Sequence, residues 1–269
     1  MIRLNESEFR YIAEFVRNNY GLNLDKKKVL IECRLRGELE KYKADSFGQY
    51  IKLLEKDKSG TMAEAMVSRL TTHYTYFMRE FQHFELIRSV ILPEVSKAEM
   101  PSVYSIWCAG CSTGQECYTL QMLWEEYKMT GRWMPAEMML ATDISESSLK
   151  QAREGRYKMK EIEDLPERWK KNYCDIHPDN TFEIKEKLRA SVRFKQQNLM
   201  TYVQDKEQYD LILCRNVMIY FDVPARQRLI KELEKSLRPG GYLLVGHSEL
   251  LSKDSTKLKY VGSAAYRKE

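Results

Sequence analysis

The chain is 269 residues long; 43% of its residues are hydrophobic, 31% are charged, and its formal net charge is +5 at pH 7. This length suits one large domain or a small domain plus a larger one, and the composition suits a soluble globular protein that can bury a hydrophobic core. No apolar run approaches the roughly 18 residues of a membrane span and no signal segment opens the chain, so we expect a cytoplasmic protein without membrane insertion. The charge is compatible with an acidic protein partner but is too small to indicate nucleic acid.

The first 70 residues have the pattern of an all-α domain. Asn5 followed by Glu8 predicts a capping box at the start of a helix, and Gly21 suits the C-terminal cap of that helix. Ser46 is the predicted cap of one further helix, and Thr61 followed by Glu64 predicts a capping box at the start of another. A longer helix is predicted over 26–43, with an apolar stripe made of Ile31, Leu35, Leu39 and Tyr42. We therefore predict a helical domain over 1–70.

One face of the helix predicted over 26–43 is basic. This stretch contains seven basic and three acidic residues. Lys27, Arg34 and Lys41 repeat every seven residues, which places them on one side of a helix. Two interpretations stay open at this point: a solvated helix face, or a surface that attracts an acidic partner.

Residues 71–95 join the helical domain to the rest of the chain. Linkers are usually built from Gly, Ser and Pro, whereas 70–80 is rich in aromatic and hydrogen-bonding side chains, which indicates that it packs against something. A helix is predicted over 80–92, and Pro93 should end it. We interpret 71–95 as a linker segment and helix that contribute to the functional site.

From Val103 onward strands and helices alternate, as in a parallel sheet covered on both faces, and we assign 96–269 to one α/β domain. The first strand runs into a loop in which Gly110 and Gly114 allow a sharp turn before a helix that begins near Gln115. This arrangement is either a nucleotide-type pocket or an ordinary strand-to-helix turn. The second strand ends in Asp143, whose two carboxylate oxygens match the two hydroxyls of a ribose.

The stretch 165–195 interrupts the alternation of strands and helices. Segments 181–185 and 191–195 alternate like the strands of a small antiparallel insertion, which we interpret as a docking element. The α/β pattern then resumes, with a strand over 209–214, a helix over 225–237, a strand over 242–245 and a closing antiparallel pair at 260–261 and 264–267.

Cys108 and Cys111 form a Trp-Cys-x-x-Cys pattern between a strand and a helix, which is typical of thioredoxin-type redox sites. A thiol oxidoreductase is therefore one hypothesis. A cytosolic setting argues against structural disulfides. Cys117 adds neither a second pair nor a histidine at ligand spacing, so we predict no metal site.

Six motifs in order along the chain carry a resemblance to a known family. They are Leu70-Thr-Thr-x-x-Thr-x-Phe-x-Arg-Glu80, Ala109-Gly-Cys-Ser-Thr-Gly114, Ala141-Thr-Asp-Ile144, Cys214-Arg-Asn-Val-Met-Ile-Tyr-Phe221, Leu237-Arg-Pro-Gly-Gly241 and Gly246-His-Ser-Glu249. Over nearly its whole length the chain resembles the chemotaxis receptor glutamate methyltransferases (CheR). The resemblance implies an α/β, Rossmann-like S-adenosylmethionine-dependent methyltransferase sheet with a small antiparallel insertion, preceded by an all-α N-terminal domain.

The resemblance also implies an activity and a cofactor. The protein would be a monomer that moves the methyl group of S-adenosylmethionine to glutamate carboxylates on the cytoplasmic methylation helices of chemotaxis receptors, with S-adenosylhomocysteine as product. Residues implied to bind the cofactor are His73, Thr75, Arg79, Glu116, Asp143, Asn198, Leu199, Asn216 and Val217. Glu116 suits the ammonium of the methionine moiety and Asp143 suits the ribose, although helix capping would also explain both carboxylates.

Three residues depart from the family pattern. His73 stands where many relatives carry Asn, and Gln115 and Cys117 replace Glu and Pro on either side of Glu116. The insertion of some relatives recognises a peptide at the receptor tail through a glycine-bearing loop. Here 177–181 is short and lacks glycine, so we predict that the protein does not depend on such a tether.

Arg79 and Tyr220 are the predicted catalytic residues. Arg79 has the planar guanidinium that orients a carboxylate, and Tyr220 has a hydroxyl that donates a hydrogen bond. In the context of the family, the face of Lys27, Arg34 and Lys41 favours the partner-binding interpretation, because receptor methylation regions are glutamate-rich helices. Besides the thiol oxidoreductase, a non-enzymatic or catalytically weak receptor adaptor is the remaining alternative.

Overall fold

A computed structural model describes residues 2–97, 103–202 and 209–269. Residues 98–102, at the start of the predicted α/β domain, lie outside this description. The chain divides into two compact units. The first comprises the described residues of Met1–Thr72, Asn198–Tyr202 and Tyr220–Leu229, and the second those of His73–Gln197, Val203–Ile219 and Ile230–Glu269.

The first unit is built mainly on helices α1 (Glu6–Tyr20), α2 (Lys28–Lys41), α3 (Phe47–Lys56) and α4 (Thr61–Leu70). The capping box predicted for α1 is confirmed: the Asn5 side chain accepts the Glu8 N–H at 2.9 Å and Glu8 accepts the Asn5 N–H at 2.9 Å. Gly21 ends α1 in the left-handed conformation, as predicted, with φ of 70°. Because these signals are local, the sequence alone locates both ends of the helix.

The start of α4 differs from the prediction. Thr61 is the first residue of the helix and not its cap, because the N-cap position is Gly60 in the left-handed conformation. Asp57 satisfies one free amide of the first turn by accepting the Met62 N–H at 2.7 Å. Ser46, by contrast, caps α3 as predicted by accepting the Gln49 N–H at 3.1 Å. The predicted stripe of α2 is buried at Ile31, Leu35 and Leu39.

The prediction that Pro93 ends a helix is wrong. The helical path runs from α5 (Gln82–Leu86) through a π-helical turn (Ile87–Ile91) into α6 (Leu92–Lys97). Pro93 is the second residue of α6, directly after the π-helical turn. The wider π turn before it, in which the Leu92 N–H bonds to Ile87 O, shifts the hydrogen-bond register upstream of the proline.

The second unit contains a seven-stranded sheet. Its parallel strands are β1 (Val103–Ala109), β2 (Ala136–Asp143), β6 (Val192–Gln196), β7 (Tyr209–Cys214) and β8 (Leu237–Val245). The last two, β9 (Lys259–Gly262) and β10 (Ala265–Arg267), form the predicted antiparallel pair at one edge. The strand order is β6-β2-β1-β7-β8-β10-β9, so the chain reverses its direction of sheet growth next to β1. Ligands bind at such a switch point in open α/β sheets.

Helices α7 (Gln115–Lys128), α8 (Glu146–Glu154) and α11 (Val223–Ser236) follow the strands β1, β2 and β7. The cap predicted for α8 is confirmed, because Ser145 Oγ accepts the Ser148 N–H at 3.2 Å. Helix α7 is buried on nearly every side, including Tyr118 and Trp124, as expected for a helix inside an α/β core. The predicted α/β class is therefore confirmed.

A separate three-stranded antiparallel sheet has the order β3-β5-β4, with strands β3 (Arg156–Lys158), β4 (Cys174–His177) and β5 (Thr181–Ile184). Helix α9 (Glu167–Tyr173) lies between β3 and β4 in the sequence, and α10 (Glu186–Ala190) follows β5. An antiparallel insertion is thus present, but the assignment of 191–195 to it is wrong. That segment is β6, which pairs parallel to β2 in the main sheet. A short alternating strand does not reveal which sheet it joins.

Strand β8 begins at Leu237, five residues before the predicted start at Tyr242. Its pairing with β7 shifts register between Leu237 and Tyr242, where Gly240 has a φ of 80°. Lys268 binds this stretch, with backbone hydrogen bonds to Gly240 and Gly241 at 2.8 and 2.9 Å. No helix in the part of the chain that the structure describes is long and apolar enough to cross a membrane.

Candidate cofactor-binding site

The loop between β1 and α7 is held against the end of β2. Gly110 and Cys111 donate their backbone N–H groups to Thr142 O at 2.7 and 2.9 Å. Gly110 has a φ of 81°, and a Cβ at this position would overlap the Cγ2 of Val217. Glycine is therefore required here both by the backbone conformation and by the close approach of Val217.

Asp143 lies at the end of β2 with 7% of its surface exposed. Its Oδ2 accepts the Ser112 N–H at 2.8 Å and its Oδ1 accepts the Ser145 N–H at 2.9 Å. These bonds fix the carboxylate beside the loop and use one lone pair on each oxygen, which leaves acceptor capacity for a diol. His73 is brought to the same place, with its Nδ1 at 3.9 Å from Asp143 Oδ1.

Thr75 and Arg79 lie in the segment before α5, and both are partly exposed. Arg79 donates from Nη1 to Tyr74 O at 2.6 Å, and its guanidinium carbon lies 5.7 and 5.9 Å from the ring centres of Tyr74 and Tyr76. Two aromatic faces and one carbonyl thus orient a side chain that would otherwise be free to rotate. The positive φ of 59° at Met78 and 52° at Glu80 turns the backbone on both sides of Arg79.

Arg215, which follows the last residue of β7, is the centre of a buried charge cluster. Its side chain is 2% exposed; Nη1 donates to Glu116 Oε2 at 2.8 Å, and Nη2 donates to Glu80 Oε2 at 3.3 Å and to Arg79 O. The guanidinium carbon lies 5.4 Å from the ring centre of Phe84. Sequence reasoning did not select Arg215 or Glu80, although a charged residue after the wholly apolar end of β7 is a recognisable signal.

The two carboxylates around Arg215 have pKa values shifted in opposite directions. Burial raises the pKa of Glu116, and the attraction of Arg215 opposes this shift without cancelling it. Burial also acts to raise the pKa of Glu80, but the charge of Arg215 and hydrogen bonds from Asn216 and the His247 backbone leave it lowered. Glu116 therefore depends on Arg215 for its charge more than Glu80 does.

Asn216 and Val217 form the turn after β7. Asn216 has a φ of 59°, donates its N–H to Glu249 Oε2 at 2.6 Å and donates from Nδ2 to Glu80 Oε1 at 3.2 Å. Glu249, which is 1% exposed, also accepts the N–H groups of Gly246 and Ile219 at 2.8 and 3.0 Å. Glu249 was not predicted as a site residue; its carboxylate holds the turn that presents Asn216.

The remaining predicted site residues, Asn198, Leu199 and Tyr220, belong to the first unit. Asn198 donates from Nδ2 to Asn19 O at 2.9 Å and accepts the Met200 N–H at 2.9 Å, as a residue that stabilises a turn does. Leu199 and Tyr220 are partly exposed, and Tyr220 O accepts the Asn23 N–H at 2.8 Å. Their cofactor and catalytic roles stay predictions.

The basic face of α2 differs from a row of solvated charges. Arg34 Nη1 donates to Leu70 O and Thr71 O at 2.8 Å each, and Nη2 donates to Thr72 Oγ1 at 3.0 Å. This guanidinium satisfies free carbonyls at the end of α4. Lys27 and Lys41 are exposed, and Lys41 Nζ lies 3.7 Å from Glu38 Oε2. Of the predicted partner-binding residues, the two lysines are thus the more available for an external partner.

The cysteine pair does not have the properties of a redox site. Cys108 and Cys111 are free thiols with 0% and 2% exposure. Burial raises the pKa of the Cys111 thiol. A catalytic dithiol needs an accessible thiol with a lowered pKa, so the thiol oxidoreductase hypothesis is not supported.

One side-chain cluster in the described part of the chain has the spacing of metal ligands: atoms of Glu80, His83 and His247 lie within 4.8 Å of one another. Both Glu80 oxygens already accept hydrogen bonds, from Arg215, Asn216 and the His247 N–H. A guanidinium 3.3 Å from Glu80 Oε2 repels a second cation, so we assign no metal to this cluster.

The features of the second unit suit the cofactor implied by the resemblance. A loop that admits no Cβ at Gly110 lies beside a fixed carboxylate at the end of β2, where a ribose diol would be bound. Glu116 lies in the first turn of α7 and provides a second carboxylate for an ammonium group.

Comparisons with known proteins identify the family. Residues 7–71 match the CheR methyltransferase all-alpha domain, and residues 73–267 match the CheR methyltransferase SAM binding domain. A chemotaxis protein methyltransferase of Borreliella burgdorferi is 39% identical over 99% of this chain and 96% of its own length. Chemotaxis protein methyltransferase 1 of Pseudomonas aeruginosa is 31% identical over 91% of each chain, and a Vibrio parahaemolyticus relative is 31% identical over 97% of this chain and 95% of its own.

These relatives bear the names of methyltransferases, and the adaptor alternative finds no support among them. The matched regions together cover both units that the structure describes. The chain therefore belongs to the CheR methyltransferase family, whose cofactor is S-adenosylmethionine.

Proposed function

We propose that the protein is a protein-glutamate O-methyltransferase that methylates glutamate side chains on the cytoplasmic methylation helices of chemotaxis receptors, acting as a cytoplasmic monomer. The observation that carries this proposal is Arg79. Its guanidinium is oriented by Tyr74 and Tyr76, and in the described residues it makes no ion pair within 4 Å. An oriented cation whose charge acts on Glu116 suits a carboxylate substrate.

The substrate needs no general base. A glutamate side chain has a pKa of about 4.3 and is already ionised at neutral pH, so it is ready to act as nucleophile. The cofactor supplies a methyl group on a positively charged sulfur. The task of the protein is then to align the carboxylate and to exclude water from two opposite charges that neutralise each other. Arg79 would orient the carboxylate and Tyr220 would donate a second hydrogen bond.

The pairing of Arg79 with the substrate should be weak. Strong binding of the carboxylate would stabilise the charged ground state more than the transition state, in which that charge is disappearing. The exposure of Arg79 and its bond to Tyr74 O fit such a role, because both reduce the strength of an added ion pair.

The cofactor would be bound at both ends by carboxylates. We propose that Asp143 accepts hydrogen bonds from the ribose hydroxyls and that Glu116 receives the ammonium group, since each carboxylate lies beside the loop between β1 and α7. The other proposed cofactor contacts are His73, Thr75, Arg79, Asn198, Leu199, Asn216 and Val217.

The deciding experiment combines the purified protein with labelled S-adenosylmethionine and receptor-containing membranes and measures base-labile methyl ester. We expect label on the receptor. Arg79→Ala should reduce kcat by more than about tenfold while leaving the protein folded, since it removes an orienting contact made at the reacting atoms. Arg88→Ala, which removes an exposed arginine paired with Glu85, is the matched control. A label-free receptor would refute the proposed function.

The receptor would be attracted by the exposed lysines at the two ends of α2, Lys27 at its N-cap and Lys41 as its last residue. Lys27→Glu with Lys41→Glu should raise the apparent KM for receptor and weaken its dependence on salt, because long-range attraction to an acidic helix is lost. Lys52→Glu on α3 is the control for a charge reversal elsewhere in the helical unit. Arg34 is excluded from this test because its guanidinium binds the end of α4.

The turn between β4 and β5 supports independence from a receptor tail peptide. It contains no glycine; Asn180 takes the left-handed position with φ of 61°, and Arg156 pairs with Asp179 at 2.6 Å. Titration with a receptor-tail peptide should therefore give no tight binding. Tight binding would contradict this part of the proposal.

A further inference from the structure

Arg215 connects three separate sequence motifs through one buried guanidinium. It follows β7, and it bonds to Glu116 in α7 and to both Arg79 O and Glu80 in the segment before α5. Its side chain is 2% exposed, whereas those of Glu116 and Glu80 are 13% and 15% exposed. The guanidinium and both carboxylates are therefore largely shielded from water.

The geometry makes Arg215 the residue that controls Glu116. Burial of a carboxylate favours its neutral form, and a guanidinium at 2.8 Å favours its ionised form. The planar fork leaves Nη1 for Glu116 while Nη2 is anchored by Glu80 and Arg79 O, so the direction of the Glu116 bond is fixed as well as its charge. The ring of Phe84 also packs against the Arg215 guanidinium.

We propose that Arg215 is a positioning residue that keeps Glu116 charged and oriented to receive the ammonium group of the cofactor. This inference rests on the role proposed above for Glu116. It concerns the amino-acid end of the cofactor and leaves the adenosine end, at Asp143, to other residues. Arg215 acts through Glu116 and need not touch the cofactor.

The proposal predicts that removal of Arg215 makes binding of the cofactor depend more strongly on pH than it does in the unmodified protein. Without Arg215, burial and the negative charge of Glu80 would be opposed only by the charge of Arg79, so the pKa of Glu116 would rise and the carboxylate would take up a proton at a higher pH. Below that point the affinity for an ammonium-bearing ligand should fall about tenfold per pH unit. The ionisable groups that face Glu116 are Arg215, Glu80, Arg79, Cys108, Cys111 and Cys214.

The test compares two ligands by calorimetry between pH 5.5 and pH 8.5. S-Adenosylhomocysteine carries the amino-acid moiety, and 5′-methylthioadenosine lacks it. The proteins are the unmodified chain, Arg215→Gln, Arg215→Lys, Glu116→Gln and the double variant Arg215→Gln/Glu116→Gln. Arg215→Gln should weaken S-adenosylhomocysteine binding increasingly towards low pH and leave methylthioadenosine binding within about twofold. Arg215→Lys should restore a flatter pH profile with incomplete affinity, because it keeps the charge without the fork.

The Glu116 variants identify the titrating group. Glu116→Gln should bind S-adenosylhomocysteine weakly and without the added pH dependence, and the double variant should behave like it. If the pH dependence persisted in the double variant, another group would titrate and the proposal would be wrong. Equal losses for both ligands would assign Arg215 a purely structural role and would also overturn it.

The experiment also distinguishes a variant that fails to fold from a protein that fails to bind the cofactor. If Arg215→Gln does not fold, Arg215→Lys decides: a loss confined to S-adenosylhomocysteine supports the proposal, and no loss or an equal loss for both ligands refutes it. If the unmodified protein bound neither ligand, the cofactor assignment would fail. If it bound both and Arg215→Gln bound both equally well, only the inference about Arg215 would fail.

Discussion

His83 should make the stability of the second unit depend on pH. The side chain is 0% exposed. Glu80 Oε2 lies 3.5 Å from Nδ1, and the His247 ring centre is 4.8 Å from that of His83. Burial lowers the pKa of His83 from 6.5 to about 3; the positive charge of Arg215 adds to this shift and Glu80 opposes it.

The sign and size of the effect follow from proton binding. Between the native pKa of about 3 and the unfolded value of 6.5 the unfolded chain binds more protons, so stability is lost as pH falls below 6.5. At pH 5 the loss relative to pH 8 is about 2 kcal/mol. Because pH 5 lies well above the pKa of His83 in the native protein, the size of this loss is set almost wholly by the pKa of the histidine in the unfolded chain.

The assay is urea unfolding of the unmodified protein and His83→Leu at pH 8 and pH 5. Leucine has a similar volume and cannot ionise, so the loss between pH 8 and pH 5 should be about 2 kcal/mol smaller in the variant. His177→Leu, which removes a partly exposed imidazole in β4, is the control. Equal losses in the unmodified protein and His83→Leu would refute the assignment of a buried, neutral His83.

Three further predictions concern local features. Gly110→Ala should abolish measurable S-adenosylhomocysteine binding and cost about 1–3 kcal/mol, because it adds a clash with Val217 to a positive φ; Gly131→Ala, with φ of 76° and no atom within 4 Å, carries the strain without the clash. In the native protein one thiol, that of the exposed Cys33, should react rapidly with a thiol reagent, and Cys33→Ser should remove this reaction; a second fast thiol would contradict the burial of the others. Asn5→Ala should lower the free energy of unfolding by about 1 kcal/mol in denaturant titrations, and an unchanged value would deny the capping box a role.

Local signals were the most reliable part of the sequence. The ends of α1 follow from Asn5, Glu8 and Gly21, because capping involves residues within one turn of each other. The strand-to-helix loop at Gly110 and the carboxylate at the end of β2 were predicted for the same reason. The error at Thr61 arose from a competing local acceptor, Asp57, five residues before Met62.

Predictions that depend on contacts between residues distant in sequence were less reliable. The segment Val192–Gln196 alternates as a strand whichever sheet it joins, and its pairing with β2 is decided by a strand about fifty residues earlier. Arg34 looked like part of a charged surface, but its guanidinium binds carbonyls 36 and 37 residues further along the chain. The continuation of the helix through Pro93 depended on a π turn that the sequence pattern does not encode.

By itself, the sequence therefore determined the helical and α/β parts, the order of their elements, the glycine loop and the residues at the strand ends. These follow from periodicity and from short-range hydrogen bonding. Only the tertiary structure showed that Arg215 joins Glu116, Glu80 and Arg79, and that Glu249 holds Asn216. The reason is physical: a buried charge is tolerated only when distant segments surround it with partners, and those partners are chosen by the fold and not by their neighbours in sequence.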